Sequence, residues 1–155
     1  MKSINTLKFI TGNVNKFKHA REVFPELEQL DIDVDEIQSL NPQEVIEHKL
    51  NQVINLGYSN YFVEDVSFVI DKYGFPGPLI KWVDKTLGSD FGVYFEGESA
   101  TVICLIGYCD KNKNIHFLRE QLKVLFVEQE EKVLDLTLYL FPTDMSNHML
   151  KWTKN

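Results

Sequence analysis

The run Tyr61-Phe62-Val63-Glu64-Asp65-Val66-Ser67-Phe68 constrains this chain more than any other stretch of it. Its aromatic and β-branched residues favour a strand, and a strand so apolar belongs inside a sheet. Two adjacent carboxylates in that setting are costly unless a cation or hydrogen bonds compensate them. Just downstream, Gly74-Phe75-Pro76-Gly77-Pro78-Leu79-Ile80-Lys81-Trp82 brings in a positive charge behind a rigid turn. Acidic pair, turn and lysine together point to a site for a metal ion and a phosphate. On a strand Glu64 and Asp65 point to opposite faces, so only one is expected to face a given ligand. The plainer alternative makes one an exposed carboxylate and the other the partner of a structural lysine.

With 155 residues, 44% of them hydrophobic and 25% charged, the chain fits a single soluble domain over 1–155 with a sizeable core. A formal net charge of -7 argues against nucleic acid or an acidic membrane as partner. An anionic ligand must then be held by local lysines and backbone amides. No apolar run approaches the length of a membrane span, and the N-terminus lacks the apolar stretch of a signal peptide. Cys104 and Cys109 fall on one expected strand at an odd separation, hence on opposite faces, and are expected to stay unbridged. These features together predict a cytoplasmic protein.

The pattern predicts a strand at Leu7–Ile10, a helix from Asn15 to about Phe24, and a second strand over Leu27–Val34. Asn41-Pro42-Gln43-Glu44 is a helix start: Asn41 caps, Pro42 suits the first helical position and Glu44 completes a capping box. That helix runs to near Gly57. After the acidic strand come a helix over Ile80–Leu87, a second from near Ser89, and strands at Thr101–Tyr108, Ile115–Leu118 and Lys132–Phe141. Early alternation of strand and helix with late hairpins predicts an α/β domain with a mixed sheet.

Three further segments carry chemistry. Thr11-Gly12-Asn13-Val14-Asn15-Lys16 leaves a strand and enters a helix, a setting that favours an anion. Gly12 admits a ligand close to the backbone, and Lys16, for which no other partner is evident, can reach a phosphate. Taken alone, the loop reads more readily as an ordinary turn with Asn13 or Asn15 as cap. Asp33, Asp35 and Glu36 offer hard oxygen donors for Mg2+, or simply form a solvated acidic loop. Lys49 on the capped helix is either a site cation or a surface residue beside Glu47. Gly74–Pro78 either redirects the chain or places Lys81 at the mouth of a pocket.

Taken together, these segments resemble the inosine triphosphate pyrophosphatase family, the non-canonical purine nucleotide pyrophosphatases. The resemblance rests on Thr11–Lys16, on Glu36-Ile37-Gln38 and on Lys49. Above all it rests on Val63-Glu64-Asp65 and on Gly77-Pro78-Leu79-Ile80-Lys81-Trp82, with order and spacing kept throughout the first half. It implies an elongated mixed sheet flanked by helices, two lobes with a central cleft, and a homodimer. The implied activity is Mg2+-dependent hydrolysis of ITP, dITP or XTP to monophosphate and pyrophosphate. By the same resemblance, Thr11, Gly12, Asn13 and Lys16 would cradle the triphosphate, with Lys49, Ser67 and Lys81 also on the substrate. Glu36, Glu64 and Asp65 would hold Mg2+. Asp65 or a metal-bound hydroxide would activate the attacking water, and Lys16 would assist catalysis.

The chain also departs from the family. Val66 stands where Ser or Thr usually follows the acidic pair, with Ser67 one place later. No aromatic-Gly-aromatic-Asp-Pro segment is present; Asp135–Pro142 is the nearest candidate. The Gly-x-x-x-Gly segment around Arg119 and the Ser-His-Arg motif are missing too, and Ser146-Asn147-His148 is only an echo of the latter. These are the groups that read the base. An intact phosphate and metal half with an altered base half leaves three outcomes. Purine preference is relaxed, with Tyr139, Phe141 or Trp152 stacking on the base; the substrate is not a purine nucleotide; or the protein is a non-catalytic nucleotide-binding or interaction module.

Overall fold

The computed structural model describes residues 6–125 other than Ser89. Ten elements follow in order: β1 (Lys8–Ile10), α1 (Val14–Val23), β2 (Glu28–Leu30), α2 (Pro42–Asn55), β3 (Tyr61–Ile70), β4 (Phe75–Gly77), α3 (Ile80–Leu87), α4 (Asp90–Tyr94), β5 (Ser99–Cys109) and β6 (Ile115–Leu125). Six strands form one mixed sheet in the order β2-β1-β3-β5-β6, with β4 also paired to β3. The expected α/β fold, a mixed sheet flanked by helices, is what these residues form. The strand expected at Lys132–Phe141, the base-stacking candidates and the Ser146–His148 echo lie outside the described residues.

Local chemistry explains the helices. Asn13 caps α1, its side chain accepting from the amides of Asn15 and Lys16 at 3.0 and 3.2 Å. Asn41 caps α2 through the amide of Gln43 at 3.0 Å, with Pro42 in the first turn. The capping box closes by a detour. Ser39 Oγ accepts from the Asn41 amide and donates to Glu44, a role the box pattern assigns to Glu44 alone.

The sheet is sandwiched between two apolar clusters. On one face Phe62, Val66, Phe68 and Ile70 of β3 pack with Phe9 and with Ala20 of α1. On the other, Tyr61 and Val63 pack with Ile46, Leu50 and Val53 of α2. Helix α2 lies close because β5 carries Gly107, where a Cβ would stand 2.5 Å from Ile46 Cγ2 and 2.6 Å from Leu50 Cδ1. Both cysteines are buried and unbridged, as their spacing predicts. Among the described residues no helix is long and apolar enough to cross a membrane.

Three elements differ from expectation. The strand over Leu27–Val34 is confined to Glu28–Leu30, because its partner among the described residues, β1, is itself three residues long. Beyond it Ile32 and Val34 still pack on the α2-side core, which accounts for their alternation. Part of the turn at Gly74–Pro78 is an edge strand, β4, paired antiparallel to Phe68–Ile70, and an edge tolerates proline. Strand β6 runs on to Leu125, since β5 offers it a partner at every residue from Ser99 to Cys109.

Candidate active site

The site is built where the sheet has a gap. Strand β3 pairs with β5 along its whole length, Tyr61 to Ile70. On its other edge β1 covers Tyr61 and Phe62, and β4 covers Phe68 to Ile70. Among the described residues, Val63–Ser67 have no strand partner on that edge. Glu64 and Asp65 occupy this notch, so side chains from opposite faces both open onto one cleft. The expectation that only one of them faces a ligand is therefore corrected. The two side chains still alternate between faces, but with no strand beside them on that edge both line the same opening.

The cleft has a volume of about 1130 Å³. Thr11, Gly12, Asn13 and Lys16 line it from the β1–α1 turn, Glu36 from the segment before α2, and Lys49 from α2. Lys81 lines it from α3, together with Glu64 and Asp65 of β3. Every predicted site residue but one is thus brought together. Ser67 is the correction. It is fully buried, its Oγ has no hydrogen-bond partner among the described residues, and it does not line the cleft. Its parity puts it on the α2 face, one pleat deeper than Asp65. Residues that sequence reasoning did not single out also line the cleft, among them Asp31 and Asp84.

Each buried carboxylate meets a lysine from the helix on its own face. Lys16 of α1 pairs with Glu64, so Lys16 has a partner after all, and that partner lies inside the cleft. Lys49 of α2 reaches Asp65 at 3.4 Å and Glu36 at 3.0 Å. Lys49 itself is buried, which rules out the surface role beside Glu47. Burial alone would lower the pKa of both lysines. Their carboxylate partners outweigh it, so both are raised and stay charged. Burial likewise opposes Glu36, but Lys49 wins and holds its carboxyl below the usual range. For Asp65 the balance reverses. Burial, with Glu64 adding to it, overcomes the attraction of Lys49 and lifts the carboxyl to about 6.

The loop before α1 is organised by its own side chains and by β2. Thr11 Oγ1 accepts from the Asn13 amide at 3.0 Å, and Gln29 donates to the Thr11 carbonyl at 2.8 Å. Gly12 sits against Asp31, whose Oδ1 would lie 3.3 Å from an added Cβ. Asn13 is thus both the helix cap and a cleft residue; the two readings of that loop coincide.

Charge in the cleft is lopsided. Asp31, Asp33, Asp35, Glu36, Glu64, Asp65 and Asp84 face three lysines, Lys16, Lys49 and Lys81. A polyanion enters such a cleft only with further positive charge. Among the described residues no three acidic, imidazole or thiol groups are gathered closely enough to hold a metal ion as they stand. Two buried oxygens, Glu64 Oε2 and Asp65 Oδ2, nevertheless lack a hydrogen-bond partner among the described residues. Unsatisfied hard oxygens on adjacent residues, with Glu36 opposite, are a donor set that fits Mg2+.

Comparison with known proteins places the chain in a family. The Ham1 family model matches residues 7–132. The inosine triphosphate pyrophosphatase of Candida glabrata is 29% identical over 128 residues, covering 73% of this chain and 67% of that protein. Its counterpart in Kluyveromyces lactis is 32% identical, covering 70% of this chain and 62% of the relative. The dITP/XTP pyrophosphatase of Methanopyrus kandleri is 31% identical, with 66% and 59% covered. This chain therefore spans between about six-tenths and two-thirds of these relatives' length. Among solved structures, the Staphylococcus aureus Ham1 protein superposes with a TM-score of 0.55 at 16% identity, over 76% of this chain and 70% of that one. A dITP/XTP pyrophosphatase from Mycobacterium abscessus gives 0.53 at 10% identity, over 76% and 72%. At those identities the structures speak for the fold alone. Fold, family model and the run of acidic and basic residues around the notch in β3 agree: the chain belongs to the Ham1 family.

Proposed function

We propose that this protein hydrolyses a nucleoside triphosphate, of the non-canonical purine class, to the monophosphate and pyrophosphate with Mg2+. One observation carries the reading: two adjacent carboxylates, each with an orphaned buried oxygen, open onto a cleft that also holds three lysines and the start of α1. The activities for which the inosine triphosphate and dITP/XTP pyrophosphatases among its relatives are named support the same chemistry. Glu36, Glu64 and Asp65 are the residues that would hold Mg2+. An ion held by them would supply charge neutralisation and Lewis-acid chemistry for the phosphoryl group.

The chain's own groups account for the remaining steps. Lys16, Lys49 and Lys81 meet phosphate oxygens, and Gly12 lets the triphosphate approach the main chain at the head of α1. Asp65, its carboxyl lifted to about 6 by burial, accepts a proton more readily than an ordinary carboxylate. It takes the proton of a water whose oxygen attacks the α-phosphorus. The bond from that phosphorus to the bridging oxygen breaks, and the electron pair leaves with pyrophosphate, whose growing charge the lysines offset. A homodimer, a single domain over 1–155 and a cytoplasmic location belong to the same reading.

The missing base-reading motifs favour a second reading: a different base, or a non-catalytic nucleotide-binding protein on this scaffold. Pyrophosphate release over ITP, XTP, dUTP and the standard triphosphates, at micromolar enzyme with Mg2+, separates them. Turnover that Asp65→Asn lowers by about 100-fold or more is expected. Release from none of the panel, or an undiminished Asp65→Asn, overturns the enzyme reading. The rank order of substrates reports the base.

A further inference from the structure

Between β2 and α2 the chain runs without regular structure over residues 31–39, and Glu36 sits inside that run. A carboxylate on such a segment has a defined position only if the backbone beside it is held. Gln52, half-buried on α2, holds it. Its Oε1 accepts from the amide of Asp35 at 2.8 Å, and its Nε2 donates to the carbonyl of the same residue at 2.9 Å. One carboxamide thereby satisfies both main-chain groups of the residue before Glu36, as a neighbouring strand would. Lys49 lies three residues earlier on α2, on the same side of the helix, and pairs with the Glu36 carboxylate at 3.0 Å. The helix therefore grips the segment twice, at the backbone of Asp35 and at the side chain of Glu36. The grips differ in kind. A phosphate competes for the Lys49 ammonium, whereas the neutral Gln52 clamp has no reason to let go.

We propose that Gln52 is a positioning residue: by clamping the Asp35 peptide groups it fixes where the Glu36 carboxylate stands for a divalent cation. The inference rests on the pyrophosphatase reading for its effect on turnover, but its geometry stands without it. Mn2+ binding to the nucleotide-free protein, followed by electron paramagnetic resonance, is compared in wild type, Gln52→Ala, Glu36→Gln and the double variant. Amide hydrogen exchange is measured on the same samples. Loss of the clamp is expected to speed exchange of the Asp35 amide by about tenfold. It should also weaken Mn2+ binding by about tenfold. In the Glu36→Gln background the same change should cost no further Mn2+ affinity, because Gln52 acts through Glu36. Gln52→Glu keeps the acceptor and loses the donor, so it should fall between wild type and Gln52→Ala and guards against a folding artefact in the latter. Unchanged exchange at Asp35 overturns the proposal. So does an equal Mn2+ loss with and without the Glu36 carboxylate, or no Mn2+ binding by wild type up to about 10 mM. A wild type that hydrolyses no triphosphate removes the pyrophosphatase reading and leaves these readouts to decide the clamp.

Discussion

Asp65 lies where its environment opposes its charge. Its carboxyl titrates near 6 in the fold against an ordinary 3.8, with burial as the main cause. The folded state therefore holds this proton more tightly than the unfolded chain does. The stability from that proton is fully present below the unfolded value and is lost as the pH rises through about 6. Asp65→Asn removes the cost of the buried charge. Despite losing activity, the variant is expected to be more stable than wild type by about 2 kcal/mol at neutral pH, with the gain nearly gone at pH 4. Urea unfolding at the two pH values checks this, and a gain that persists in acid contradicts it. Glu64, Asp65 and Lys81 stood out in the sequence by themselves, the acidic pair inside an apolar run and the lysine behind a rigid turn, whereas Lys16, Glu36 and Lys49 read two ways until the family resemblance was added. That Glu64 and Asp65 share one cleft was not, because the open edge of β3 depends on how far β1 and β4 reach. The burial of Ser67 went unread for the same reason.

Among the elements, α2 does most to connect the core to the site. It buries Val45, Ile46, Leu50 and Val53 and carries Lys49 and Gln52. Its distance from the sheet is set by Gly107 of β5, since Ile46 and Leu50 are fully buried and cannot swing clear of a new side chain. Gly107→Val is expected to cost about 3 kcal/mol by forcing α2 outward. It should also weaken the contacts of Lys49 with Glu36 and Asp65. Hydrogen exchange of α2 amides, faster in the variant than elsewhere in the sheet, is the expected signature; uniform exchange would count against the spacer role. The helices were legible because their ends are written locally, in Asn13, Asn41 and Pro42. Strands β2 and β6 were misjudged in length because a strand ends where its partner ends. Nothing inside Leu27–Val34 or after Leu118 records that.

At the scale of the whole molecule, a net charge of -7 and an acid-rich cleft leave no long-range field to draw in a polyanion. Affinity must come from the three lysines, the start of α1 and a divalent cation acting together. The alternation of strands and helices foretold the mixed sheet. The side of the site that reads the base was recognisable in the sequence only by missing motifs, which say what is not there and not what replaces it. In the proposed reaction the site cleaves between the α- and β-phosphates, with water attacking the α-phosphorus. Hydrolysis of ITP in 18O-labelled water with Mg2+, read by mass spectrometry, tests it most directly. The account predicts label in the nucleoside monophosphate and unlabelled pyrophosphate; label in pyrophosphate or inorganic phosphate would contradict it.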